Sequence, residues 1–394
     1  MSKLRVKNFG PITEGIGNGE FLDISNLTVF IGNQGTGKST VAKLFSSFVW
    51  LEKKCLTQEY VFRPNQLFAM LHFHKINNYL KDSTEIEYIG NFLHFIYADS
   101  SCTTRLNKSS YILPKIQYIP AERNLLSVVD KYAQISYLPE SLQDFMVAYD
   151  LAVKSECIKN LQLPINNLKI RYNKRKHKVE LFNYDYEILL SEASSGLQSF
   201  VPFFVVQKFL MNEVFSGKKI STFKNLEERQ RIAELFEKQR GHSPNSDKEL
   251  LDFASENSDS IFNSCLISIL EEPEQNLFPI SQKNVLLDLL SDLNRSEHNK
   301  LLLTTHSPYF LPYINAVLKA NELAHKNKEK KEEIGRVVPA MSLLDSQSVH
   351  VYEFEGGKIR ELQKIKNITS DDNLLNQELE ETNEFYRQVL KAGL

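Results

Sequence analysis

The sequence predicts an α/β chain: a mostly parallel sheet flanked by helices, with an antiparallel β subdomain and a helical lobe. Three observations predict it. An apolar strand pattern at residues 27–31 runs into a glycine-rich stretch and then into a helix pattern. Two more buried-strand patterns, residues 264–270 and 300–304, are separated by one amphipathic helix pattern at 281–293. That alternation gives parallel strands covered by helices on both faces. Residues 167–190 read instead as two or three antiparallel strands joined by turns at 173–176 and 183–185.

Taken in order, residues 3–31 are strands broken by a glycine-rich turn, and the helix after the glycine stretch runs to about residue 51. Residues 56–82 carry a helical mix of apolar and polar positions. Residues 85–98 form a hairpin around Gly90-Asn91, and 115–120 form a short strand ended by Pro120. Residues 121–166 turn helical, and 196–214 are a strongly apolar helix. Residues 215–260 are polar, helical near 226–238 and 248–253, and read as an insertion with a loop at 241–246. The charged run 325–333 is a solvated helix end or a mobile loop, 349–360 is a hairpin over Gly356-Gly357, and 373–394 is a helix. The expected units are residues 1–120 and 263–394, which share one lobe, and 121–262, a helical lobe carrying the insertion.

Composition removes several classes. A net charge of −2 gives no overall field toward nucleic acid, so any such contact needs a local patch. No apolar run approaches the roughly 20 residues of a membrane span, and no N-terminal signal is expected where a strand pattern already opens at Leu4. Cys55, Cys102, Cys157 and Cys265 are scattered, the pattern of reduced thiols in a cytoplasmic protein. His72 and His74 lack cysteine or carboxylate companions and read as a surface or helix-face pair, not a metal site.

The glycine stretch is Gly32-Asn33-Gln34-Gly35-Thr36-Gly37-Lys38-Ser39-Thr40, a G-x-x-x-x-G-K-S string between strand and helix. In that setting backbone N–H groups curl around phosphates, Lys38 reaches the β- and γ-phosphates, and Ser39 offers its hydroxyl to Mg²⁺. The helix N-terminus adds positive potential. The strand at 266–270 ends in Glu271-Glu272, two carboxylates at the sheet's carboxyl edge. Glu271 is assigned to the metal and Glu272 to the attacking water as general base. His306 follows the strand at 300–304, where an imidazole can touch the γ-phosphate. Ser194-Ser195-Gly196 open the apolar helix, as a second anion site or simply as its cap.

The motifs IGNQGTGKST, EASSGLQSF, ISILEEPEQNLFP and LLLTTHSP, in this order, resemble those of ABC-type ATPase heads. More narrowly they resemble AAA-like ATPases of the OLD, RecF and Rad50/SMC branch, including ATPase subunits of anti-phage systems such as Septu. The resemblance implies ATP and Mg²⁺ as ligands and a head-to-tail homodimer, with room for a higher oligomer. Ser195 and Gly196 would then complete the partner's γ-phosphate site, with Gln198 supporting the turn. Residues 274–277 would form the crossing D-loop. Gln117, in the strand before Ala121-Glu122-Arg123, would be the Mg²⁺-linked glutamine. Leu197 and Glu271 depart from transporter-type heads, which carry a second glycine and an aspartate there, and the longer acid makes slow turnover an expectation.

No heptad run of arm length separates Lys38 from Ser195. The stretch after His306 is short for an appended TOPRIM nuclease. The chain therefore reads as an ATPase subunit of a bacterial anti-phage complex, controlling a separate nuclease or toxin docked on residues 121–165 and 215–260. The alternatives are a RecF- or Rad50-like repair ATPase acting on duplex DNA and a non-hydrolysing assembly module. The basic turn at Arg171 and 174–178 is either a phosphate contact or a solvated hairpin tip.

Overall fold

The computed structural model describes residues 2–57, 62, 65–107, 112–129, 132, 135–215, 226–256 and 263–392. β1 (Ser2–Lys7), β2 (Gly15–Ile16) and β3 (Leu22–Ile24) lead to β4 (Leu27–Gly32), buried along its whole length. The glycine loop then feeds α1 (Lys38–Thr57), followed by α2 (Asn65–His72). β5 (Glu85–Ile89), β6 (Leu93–Ala98) and β7 (Ser101–Leu106) join the first strands in an antiparallel sheet, order β3-β1-β5-β6-β7. β8 (Pro114–Ile119) returns to the main sheet.

The helical lobe follows. It holds α3 (Leu125–Val128), α4 (Glu140–Lys154) and a second antiparallel sheet of β9 (Leu161–Gln162), β10 (Lys169–Asn173), β11 (Lys178–Phe182) and β12 (Glu187–Leu189). α5 (Ser195–Phe215) runs back under the main sheet. Among the described residues α6 (Leu226–Arg240) and α7 (Asp247–Glu256) form a small apolar cluster of their own, through Ile232, Phe236, Leu250 and Phe253. The chain closes with β13 (Cys265–Glu271), α8 (Pro279–Leu293), β14 (Lys300–Thr305), α9 (Phe310–Lys326), α10 (Lys331–Val337), β15 (Val349–Glu355), β16 (Lys358–Glu361) and α11 (Leu374–Ala392).

The main sheet has seven strands in the order β2-β16-β15-β4-β14-β13-β8, parallel from β15 to β8. Side chains alternate between two cores, as the two-residue period of a strand requires. Leu27, Val29, Ile31, Leu266, Leu270, Leu301 and Leu303 face α4, α5, α8 and α9. Phe30, Ile267, Ile269 and Leu302 face α1 and the first antiparallel sheet. Each fully buried Phe or Leu contributes about 1.5–3 kcal/mol, and these strands read in sequence as unbroken apolar runs for this reason.

α1 is pinned to the antiparallel sheet by one buried carboxylate. Glu52 accepts from the Tyr88 hydroxyl (2.8 Å) and the Phe92 and Leu93 amides (2.6 and 3.1 Å). Gly90 leaves the room for it, since a Cβ there would lie 2.2 Å from the Glu52 carboxylate.

The mostly parallel sheet, the 349–361 hairpin, the 241–246 loop and the terminal helix all follow the sequence. Three details differ. β7 was not expected, because SCTTRL is polar and mostly exposed and pairs through its backbone with β6. Of the helix expected over 56–82, residues 65–72 form α2 and 77–79 a 3₁₀ turn, while 58–61 and 63–64 lie outside the described residues. His74 is not on the surface: it is 3% exposed and meets the Tyr118 ring edge-on. Burial, helped by nearby Lys43, lowers its pKa to about 3 and keeps it neutral.

Candidate functional site

The register of the parallel strands builds the site. Glu271 on β13 is level with Thr304 on β14, and Thr304 with Phe30 on β4. The residues just past these three strands therefore share one carboxyl edge: the 32–39 loop, Glu272, and His306. Open parallel sheets bind their ligands at this edge.

The loop's curl depends on glycine at Gly37, with φ 104° and a Cβ that would lie 2.4 Å from the Ile12 side chain. Lys38, 4% exposed, donates to the Gly32 and Asn33 carbonyls at 2.8 and 2.7 Å and spans the loop from inside. Burial lowers its pKa to about 8, against the opposing pull of Glu272, Glu274 and Glu271. The Gln34 amide donates to Asn33 Oδ1 and the Thr36 hydroxyl to the Asn33 carbonyl, fixing the loop's shape. Gly35 sits at φ 73°, Ser39 is half-buried at the start of α1, and Thr40 is buried behind it.

Across the edge, Glu271 is 3% exposed; its Oε2 accepts from the Ala121 amide at 3.3 Å, and its Oε1 has no hydrogen-bond partner. A buried carboxyl oxygen with no donor of its own is the kind of atom that would pair with a cation. Glu272 sits in the left-handed backbone region at φ 44°, which swings its side chain out of the strand direction toward His306, with Nε2 3.6 Å from Oε1. Contact with His306 lowers the Glu272 pKa, so the carboxylate is ionised at neutral pH. Glu274 accepts from the His306 amide at 2.7 Å and so positions that residue, while burial raises its own pKa.

α5 brings the serine-bearing stretch to the same rim. Ser194 and Ser195 are exposed. Gly196 is pressed against the turn after Glu272, where a Cβ would lie 2.6 Å from the Asn276 carbonyl. Asn276 Nδ2 donates to the Ser199 hydroxyl (3.1 Å), and Gln198 Nε2 donates to the Ser191 carbonyl (3.0 Å), bracing the helix start.

Gln117 is not brought to this edge. It is level with Ser268, three residues down the strand from Glu271, and its amide donates to the Tyr118 carbonyl and, at 3.5 Å, to Asp144. Sequence order placed it in the right strand at the wrong height, and a metal role for it is withdrawn. Arg123 went unassigned in the sequence reading and proves central. Fully buried, it donates to the carbonyls of Pro120, Glu271, Glu272 and Ser199. A lone charged residue after a strand carries no local sign of such contacts. In the basic hairpin, Arg171 and Lys176 both face Glu180, and Lys174 faces Glu156 at 3.8 Å.

The strand order, the loop after β4 and the acids after β13 together make a mostly parallel α/β sheet with a P-loop-shaped turn and two acids at one carboxyl edge. Neither a family model nor a curated protein matches the chain. Similar solved structures include the SMC head domain from Thermotoga maritima, 10% identical with a TM-score of 0.34, covering 92% of this chain and 98% of that one. The recombination mediator protein RecF gives 10% and 0.34, covering 92% and 97%. A nucleotide-free ATP-binding cassette from an ABC transporter gives 12% and 0.30, covering 93% of each. These distant likenesses add no residue roles; the roles rest on the geometry above. Among the described residues no helix is long and apolar enough to cross a membrane, and no group of three or more His, Cys, Asp and Glu side chains has metal-binding form.

Proposed function

We propose that this protein binds and hydrolyses ATP, with Glu272 as general base. The observation that carries the reading is the shared edge: Lys38, Glu272 and His306 converge from three different strand ends. Lys38 would leave the loop carbonyls for the β- and γ-phosphate oxygens, where its charge is better compensated. Glu272 takes the proton of a water whose oxygen attacks the γ-phosphorus. The bond from that phosphorus to the β–γ bridging oxygen breaks, and ADP leaves. His306, held by Glu274, keeps Glu272 oriented. The Ser39 hydroxyl and Glu271 Oε1 are the groups that would hold Mg²⁺, which supplies charge neutralisation at the phosphates.

The exposed Ser195 at the rim supports an ATP-dependent head-to-tail homodimer, in which this residue and Gly196 close the partner's site. The wider reading is an ATPase subunit of an anti-phage complex that controls a separate nuclease or toxin. The motif resemblance supports it, as does the α6–α7 hairpin, whose small separate core the ATPase lobe does not need. The hairpin cations already facing carboxylates weaken the duplex-DNA alternative. Measured phosphate release, absent in Glu272→Gln, tests the chemistry. Purification with neighbouring gene products tests the role: recovery of the chain with no effector would overturn it.

A further inference from the structure

Next to Gln117 on β8 stands Tyr118, and successive residues of a strand leave the sheet on opposite faces. The Gln117 amide reaches Asp144 on α4, at 3.5 Å. Tyr118 packs instead in the apolar cluster around α1. It is level with Ile269 on β13, two residues before Glu271. Ile269 belongs to the same cluster, so Tyr118 and Glu271 share one face of the sheet, the face on which Ser39 opens α1. The Tyr118 ring is 4% exposed and meets His74 edge-on, with centroids 4.6 Å apart. Its hydroxyl lies against Glu271, the charge that acts on it most strongly, ahead of Glu122.

Both groups are incomplete. The Tyr118 hydroxyl and Glu271 Oε1 are each buried and each without a hydrogen-bond partner. Burying an unpaired hydroxyl is unfavourable, and a ring that only filled space here would be better as Phe. A phenol is protonated at neutral pH, so a donor without an acceptor faces an acceptor without a donor.

We propose that Tyr118 is a positioning residue for Glu271, its hydroxyl donating to Oε1 and fixing the carboxylate's orientation for the cation. The inference rests on the reading of Glu271 as the acid that would hold Mg²⁺. A carboxylate oxygen has two lone pairs, so the hydroxyl occupies one and leaves the other for the metal. With the Ala121 amide on Oε2, both oxygens are then oriented. Outer hydrogen bonds of this kind are worth about 10–100-fold in metal affinity.

The test is ATP affinity by titration calorimetry, with Mg²⁺ and again in EDTA, in a Glu272→Gln parent that does not consume the nucleotide. The parent should bind ATP more tightly with Mg²⁺. Adding Tyr118→Phe should shrink that gain by roughly tenfold and leave affinity in EDTA unchanged, because the 32–39 loop is untouched. Adding Gln117→Leu, on the other face, should keep the full gain. A parent that binds no ATP overturns the nucleotide reading and this inference with it. One that binds ATP with no Mg²⁺ gain overturns Glu271 as the metal's acid, and Tyr118 with it. Where the parent shows the gain, an unchanged gain in Tyr118→Phe, or an equal loss with and without Mg²⁺, overturns the role of Tyr118 alone. So does a loss in Gln117→Leu as large as that in Tyr118→Phe, which would assign the effect to strand β8 as a whole.

Discussion

Arg123 donates to the Glu272 carbonyl at 2.6 Å, and the same guanidinium donates to the Ser199 carbonyl at 2.9 Å. One side chain thus ties the strand end bearing Glu272, the proposed general base, to the helix bearing the serine stretch. Its charge is fully buried, packed 5.1 Å over the Phe203 ring, and satisfied mainly by carbonyl oxygens. Arg123→Met should leave these carbonyls unpaired and destabilise the fold by about 3–5 kcal/mol. Urea melts would measure this. In protein that stays folded, turnover should fall more than ATP affinity, because Lys38 and its loop do not touch Arg123.

Glu272→Gln keeps shape and removes the proposed base. Turnover should drop on the order of 10²–10⁴-fold, with ATP still bound. The ATP-bridged dimer should then persist instead of cycling, and light scattering with and without ATP reads this. An ATP-loaded variant no larger than the ligand-free one would refute the sandwich.

Lys38 gives nucleotide binding a pH dependence. Its folded, ligand-free pKa is about 8, lowered chiefly by burial. A bound phosphate favours the charged form, so ATP affinity should fall as pH rises above about 8, by up to tenfold per unit. Titration calorimetry from pH 7 to 9.5 should show this, along with proton uptake on binding. Stability runs the other way: between pH 8 and the ordinary lysine value of 10.5 the unfolded chain holds the extra proton. The ligand-free protein should therefore gain stability through that window relative to Lys38→Met, which lacks the titrating group.

Gly196→Ala tests the contact between the serine-bearing helix and the turn after the acids. The added carbon, 2.6 Å from the Asn276 carbonyl oxygen, has to push the two apart. ATP binding to the single chain should survive, while ATP-dependent dimerisation and turnover fall by tenfold or more, read by fluorescence titration beside light scattering. Equal loss of binding and dimerisation would assign Gly196 a role in the chain's own nucleotide loop instead.

The loop at 32–39 and the acids after β13 were legible because their signals are contiguous: an apolar strand, then a chemically distinctive string. Their meeting at one edge follows from strand order, which alternation around two short strands already constrained. Gln117 was misplaced because height along a strand depends on register, and register is set by pairing with residues far away in sequence. Arg123 was invisible for the same reason, since three of its four carbonyl partners lie 76 to 149 positions on. His74 escaped because burial at the end of a short helix depends on β8 packing against it. α11 was legible as a helix, but only the structure shows that, among the described residues, none of its side chains from residue 377 onward is buried.

The order of strands also bears on how the chain is made. β4, buried throughout, takes both its neighbours, β14 and β15, from residue 300 onward. During synthesis this ribbon leaves the ribosome well before its neighbours and waits with two bare edges while the residues between 32 and 300 are translated. The nascent chain is thus open to aggregation until β14 and β15 emerge, and chaperone shelter during that interval should govern how much protein a cell recovers.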